Sequence, residues 1–181
     1  MKGTIIYRGK YGATEQYAQW LSVALKLPMS TSEAVTPGLL ANNDYIVLGS
    51  SVYAGKLVIS SWLKANQVQL AGKKIFLFIV CGTTADNVYL QQVVVANNIE
   101  LEIRNNCEFF FVPGRVIVSG LNWKDRFVLK MGAMMQKDPE KKAAMLRGFD
   151  RMDKKHLNGL IKRIGNYRTP QFATDAFGRS L

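Results

Sequence analysis

Three runs of consecutive apolar residues punctuate the chain: Tyr45-Ile46-Val47-Leu48, Ile75 to Val80, and Phe109-Phe110-Phe111-Val112. Runs of this length that do not alternate with polar residues predict parallel strands buried on both faces. Thr4-Ile5-Ile6-Tyr7 predicts a further strand at the start, and residues 29–32 a short fifth one. Between the runs the apolar spacing changes. Tyr17, Trp20, Leu21, Ala24 and Leu25 follow Gly12 at i, i+3, i+4, i+7 and i+8, one face of a helix that Pro28 ends. Val58, Ile59, Trp62 and Leu63 predict a helix within residues 57–70, before Gly72. Residues 87–104 are mixed: Tyr89, Val93 and Ala96 fit a helix, whereas Glu100 to Ile103 alternate like a strand. A helix is favoured there, because parallel strands need a crossover.

Strands alternating with helices define an α/β domain with a doubly wound parallel sheet. The last third breaks the alternation. Trp123, Phe127, Met131, Met134 and Met135 form one helical stripe, read as core; Leu157, Leu160, Ile161 and Ile164 form another. Lys124, Arg126 and Lys130 share the first of these helices, and an amphipathic lid or a membrane-facing surface is its alternative role. Gln136 to Arg151 is polar and lysine-rich, and residues 169–181 read as a loose tail after a single domain of residues 1–168.

Charge sharpens this division. The chain of 181 residues has a net charge of +11, and residues 121–168 hold 13 cations against 5 anions. Such a basic segment suits an anionic partner: a small anionic substrate, a redox protein or an anionic membrane surface. Nucleic acid is not expected, because exposed aromatics do not interleave with the cations. Cys81 and Cys107 lie in apolar runs and read as buried free thiols, too few for a disulfide framework or a zinc site. With His156 alone on a basic stretch, and read as a surface residue, Ser-His-Asp chemistry is poorly supplied, and no metal site is expected. Met1-Lys2 leads straight into a strand and no apolar run approaches a membrane span, so a cytoplasmic protein is expected, with peripheral membrane contact as a further expectation.

Ligands of doubly wound sheets bind beyond the carboxyl ends of the strands, so the loops there hold the candidate chemistry. The first loop is Arg8-Gly9-Lys10-Tyr11-Gly12-Ala13-Thr14. Its glycines permit close backbone approach, the following helix points free N–H groups outward, Thr14 adds a hydroxyl, and Arg8 or Lys10 adds charge. It is a candidate phosphate cradle, with a plain βα connection as the alternative, and it is neither a P-loop nor a Gly-x-Gly-x-x-Gly turn. The second loop is Gly49 to Lys56. Its residues Ser51, Val52, Tyr53, Ala54 and Gly55 leave room for a flat ring walled by Tyr53. The third loop begins at Cys81-Gly82-Thr83-Thr84 and ends at Asn87, with polar groups for the edge of a heterocycle. A mononucleotide with a flat ring suits all three.

The segment Ile5 to Ala18 resembles the phosphate loop of the flavodoxin family. Lys10-Tyr11-Gly12-Ala13-Thr14 is similar to the Lys-Tyr-Gly-x-Thr turn of a bacterial group that includes the menaquinone-dependent protoporphyrinogen oxidases. Tyr45 to Lys56 resembles that group's second flavin loop, and Gly114 to Met135 its basic insert. The resemblance implies a three-layer α/β/α flavodoxin-like fold, a five-stranded parallel sheet of order 2-1-3-4-5, a basic helical insert over residues 121–156, and FMN as cofactor. Many relatives hold the phosphate with hydroxyls where this chain has Arg8 and Gly9. Backbone N–H groups, Thr14 and added positive charge are then left for that role. Ring stacking would fall to Tyr53 or Tyr11.

The activity expected is that of an FMN oxidoreductase acting on a small anionic or tetrapyrrole/quinone-type substrate. The propionates of protoporphyrinogen would pair with Arg115, Lys124, Arg126 or Lys130. Two alternatives stand beside it: an electron carrier between protein partners, and a flavodoxin-like module without FMN that binds an anionic partner. The sequence names no catalytic side chain and no oligomeric state.

Overall fold

Ile5 and Ile6 are adjacent in sequence and fully buried on opposite sides of one sheet. That alternation, repeated along the central strands, organises the molecule. A computed structural model describes residues 1–82 and 87–169, apart from the side chain of Lys141. Thr83, Thr84 and the tail from residue 170 onward lie outside the described residues.

From β1 (Gly3–Arg8) the chain enters α1 (Ala13–Leu25), which buries Tyr17, Ala18, Leu21 and Leu25. Ala24, expected on that face, is exposed, and Ala18 one turn and a half earlier is buried in its stead. Lys26 takes a left-handed conformation after the last turn, and Pro28 prevents the helix from resuming. β2 (Met29–Thr31) and α2 (Pro37–Ala41) lead to β3 (Tyr45–Tyr53). β4 (Lys56–Leu57), α3 (Ser60–Ala65), α4 (Gln67–Leu70) and β5 (Lys74–Cys81) follow. Then come α5 (Val88–Asn98), α6 (Leu101–Arg104) and β6 (Cys107–Pro113).

The five long-range strands pair in parallel in the order β2-β1-β3-β5-β6. With the short hairpin strand β4 left out of the count, this is the expected 2-1-3-4-5 order. Helices cover both faces. Phe76, Phe78 and Val80 of β5 pack with Tyr17 and Leu21 of α1 on one side. Ile75, Leu77 and Ile79 pack with Leu40 of α2, Leu63 of α3 and Val94 of α5 on the other. Each such burial contributes roughly 1.5–3 kcal/mol, so β5 is the anchor of both cores.

Three expectations about elements are corrected. The helix expected within residues 57–70 is broken: Leu57 pairs with Val52 as a strand, and helix begins only at Ser60. There the Ser50 hydroxyl accepts from Ile59 N, fixing the turn that precedes α3. The phenylalanine run of β6 is half-buried rather than buried on both faces, because β6 forms the sheet edge. The methionine stripe of the C-terminal third is solvent-facing rather than core.

That third departs from the sheet through β7 (Arg115–Val116). It carries α7 (Trp123–Met135) and α8 (Pro139–Arg147) and returns through β8 (Phe149–Asp150). β7 and β8 pair antiparallel, Arg115 opposite Asp150, and so clamp both ends of the intervening segment. α7 turns Asp125 and Ala133 inward and leaves Trp123, Phe127, Met131, Met134 and Met135 exposed, Met135 at 81%. α9 (Asn158–Arg168) then returns to the sheet and buries Leu160 and Ile164 beside Leu157. Among the described residues no helix is long and apolar enough to cross a membrane.

Candidate cofactor site

The turn from β1 into α1 brings the first loop to the carboxyl edge of the sheet. Gly12 caps α1 with φ of 77°, a conformation that costs glycine little. No side chain caps this helix, so the first-turn N–H groups and the positive end of the helix face outward. Thr14 sits in the first turn, 1% exposed, and its hydroxyl has no hydrogen-bond partner. Gly9 stands against it: a Cβ there would lie 2.6 Å from Thr14 Oγ1. Any residue larger than glycine at position 9 would press on the buried Thr14 side chain. Ala13 is buried behind the loop and Tyr11 is partly exposed.

The loop's charges are already paired. Arg8 Nε lies 2.9 Å from Glu33. Burial works against the Glu33 carboxylate, but backbone and Ser32 hydrogen bonds, with Arg8, hold it below the ordinary carboxylate range. Lys10 Nζ lies 2.6 Å from Oδ1 of Asp125, on the first turn of α7. The Tyr53 hydroxyl donates to the same oxygen, and Lys10 stands 3.6 Å from the centre of the Tyr53 ring. Burial opposes the charge on Lys10, yet its hydrogen bonds to Asp125 and Tyr53 outweigh that and raise its pKa. Asn122 orients Asp125 by accepting from its backbone N–H at 2.9 Å. Asp125 is 4% exposed, and its Oδ2 is buried with no partner.

The second loop is a hairpin rather than an open connection. β3 runs on through Ser51, Val52 and Tyr53 and turns at Ala54 and Gly55, with φ of 49° and 77°, into β4. Positive φ at both turn residues is the two-residue hairpin geometry. Ser51 Oγ is buried and unpartnered. At the third loop Cys81 ends β5, buried, and Gly82 lies under the Phe149 ring of β8. Asn87 caps α5 by accepting from Leu90 N at 3.0 Å. Its side-chain oxygen is therefore engaged with the helix.

Of the four cations expected to meet a substrate, only Arg115 reaches the first loop. Its Nη2 lies 3.4 Å from the point a Cβ on Gly12 would occupy. Lys124 rests 5.6 Å from the Trp123 ring, Arg126 donates to Ser119 O at 3.3 Å, and Lys130 points to solvent. Asp125 and Glu33 were not foreseen as site residues. The one local signal was an acidic residue in the first turn of α7, three positions after an Asn cap, and that says nothing about Lys10.

The chain belongs to the flavodoxin domain family, whose model matches residues 4–143. No curated protein matches it. Among solved structures, oxidised flavodoxin 2 of Bacillus cereus is 18% identical, with 81% of this chain and 93% of that chain covered, at a TM-score of 0.45. Two-electron reduced Megasphaera elsdenii flavodoxin is also 18% identical, with 80% and 96% covered and a TM-score of 0.45. The rubredoxin oxygen:oxidoreductase of Desulfovibrio gigas is 12% identical at a TM-score of 0.47; this chain covers 37% of its length, with 80% of its own. At these values the family assignment rests on the domain match and the strand order.

The flavodoxin domain implies FMN as cofactor, and electron transfer as its chemistry. The residues present fit that group. Thr14 Oγ1, Ser51 Oγ and Arg115 Nε are buried polar atoms without partners, and all belong to segments at the carboxyl end of the sheet, next to an uncapped helix N-terminus. Buried polar groups are ordinarily satisfied, so a cluster of orphans beside an anion-binding helix end suits a phosphorylated ligand.

Proposed function

We propose that the protein is an FMN-dependent oxidoreductase that exchanges electrons with a small anionic molecule of tetrapyrrole or quinone type, at the surface of an anionic membrane. Bound FMN supplies a ring that takes up and gives back electrons. One observation carries the reading: Asp125 of α7 joins Lys10 of the first loop to Tyr53 of the second. The inserted segment thereby reaches over the site, which favours a small molecule enclosed beneath it over a large protein acceptor.

The side chains then divide the work. Gly9, Thr14 and the first turn of α1 hold the phosphate. Tyr53, fixed by Asp125, walls the ring. Lys124, Arg126 and Lys130 attract an anion toward the insert. The exposed stripe from Trp123 to Met135, flanked by these cations and followed by Lys137, Lys142 and Arg147, has the composition of an interfacial helix. A second copy packed on this face would bring like charges together, whereas anionic lipid neutralises them. A quinone dissolved in that lipid would lie beside the insert.

The test is reoxidation of the photoreduced, FMN-loaded protein, followed without oxygen. A short-chain naphthoquinone is expected to reoxidise it saturably and faster than it reoxidises free FMN at the same concentration. Rapid reoxidation by an acidic ferredoxin-type protein, with no saturable reaction with the quinone, would contradict the proposal in favour of a carrier.

A further inference from the structure

Three cations stand at the first loop, and two of them are matched. Arg8 pairs with Glu33 and Lys10 with Asp125. Arg115 has no carboxylate partner among the described residues. Its Nε is buried and unbonded, and it is not matched by Asp125 Oδ2, which is equally without a partner. Yet its guanidinium lies against Gly12, the cap of the 13-residue helix α1. A cation at the positive end of a helix is repelled unless an anion stands between them. A buried donor left unbonded costs about 1–3 kcal/mol. Thr14, two residues on and 1% exposed, leaves a hydroxyl unbonded in the same neighbourhood. One anion accepting from the guanidinium, the helix N–H groups and the Thr14 hydroxyl would resolve all three.

We infer that Arg115 binds the phosphate of FMN, supplying from β7 the positive charge that Arg8 and Lys10 direct elsewhere. The inference rests on the FMN reading and goes beyond it. It moves Arg115 from the substrate to the cofactor and accounts for the loop's lack of hydroxyls at Arg8 and Gly9. A phosphate monoester carries about −1.5 to −2 charge near neutral pH, and a guanidinium fork matches its oxygens. The antiparallel pairing of Arg115 with Asp150 ties the residue to both ends of the inserted segment. Phosphate binding and the placing of that segment therefore meet at one residue. The protein should select FMN over riboflavin chiefly through this contact.

The test is a pair of fluorescence-quenching titrations of the full-length chain, with FMN and with riboflavin, on the wild type and on Arg115→Ala. Loss of a hydrogen bond to a charged group predicts FMN binding weaker by about tenfold or more. Riboflavin affinity should stay within about threefold, since the lost contact belongs to the phosphate alone. Arg115→Gln keeps the side-chain length without the charge and carries the same expectation if the alanine variant does not fold. Equal losses for both flavins would make Arg115 a merely structural residue and overturn the inference. Unchanged FMN affinity in a variant of a flavin-binding wild type would overturn this inference alone. A wild type that binds neither flavin would overturn the FMN reading together with it.

Discussion

Tyr17 is a fully buried phenol on the inner face of α1, donating to Pro113 O at 2.8 Å, with its ring edge-on to Trp20 and Phe78. Burial pushes its pKa up to about 12. The folded state therefore favours the neutral phenol more than the unfolded chain does, whose tyrosines ionise near 10. This contribution to stability is fully present below about pH 10 and is lost as pH rises through about 12. Following phenolate absorbance and thermal unfolding together should show a late-ionising tyrosine and a fall in stability within that window. Tyr17→Phe should remove the latest of these ionisations, leaving those of Tyr7 and Tyr45, which burial also raises. Ordinary titration of every tyrosine in the folded wild type would contradict this placement. Single residues were also where the sequence was least legible. Lys10 and Asp125 are 115 positions apart, and Tyr17 and Pro113 are 96 apart. Charge sign and hydroxyl chemistry can be read from a sequence, but a partner depends on how the crossovers bring loops together. The charges of Arg8 and Lys10 were legible, but not that Glu33 and Asp125 stand beside them.

Elements were more legible, and unevenly so. Buried strands announced themselves because an apolar run without alternation suits only a doubly covered sheet. α1 followed from its periodicity and from Pro28. The break after Leu57 was hidden, because a two-residue hairpin strand leaves no periodic signal. For α7 the periodicity marked a helix correctly but not what its apolar face meets. The same stripe suits a core or a lipid surface, and the inward residues proved to be Asp125 and Ala133. The exposed face makes a prediction at this scale. Sedimentation with vesicles rich in phosphatidylglycerol should bring the protein down, and vesicles of phosphatidylcholine alone should not. Phe127→Glu combined with Met131→Glu should weaken the association by at least about tenfold, since burial of each of these side chains is worth roughly 1.5–3 kcal/mol. High salt should weaken it too. Equal binding to both vesicle types, or none to either, would remove the membrane from the account.

At the scale of the whole molecule, two halves of different character meet at one sheet edge. Residues 1–120 form the main sheet, carry little net charge and bring Arg115 to the first loop, whereas the basic third folds back and sets Asp125 against that loop. The fold class and strand order were legible because they follow from element order and right-handed crossovers. The contact of α7 with the first two loops was not, because it depends on β7 and β8, two residues each, clamping a long excursion. The central claim is that this edge holds FMN, and titrating the purified full-length chain with FMN tests it most directly. The account predicts saturable quenching of flavin fluorescence with a shifted flavin absorbance spectrum. Flavin fluorescence and absorbance that stay those of free FMN across the titration would contradict it, and would leave a flavodoxin-domain protein that binds its anionic partner without redox chemistry.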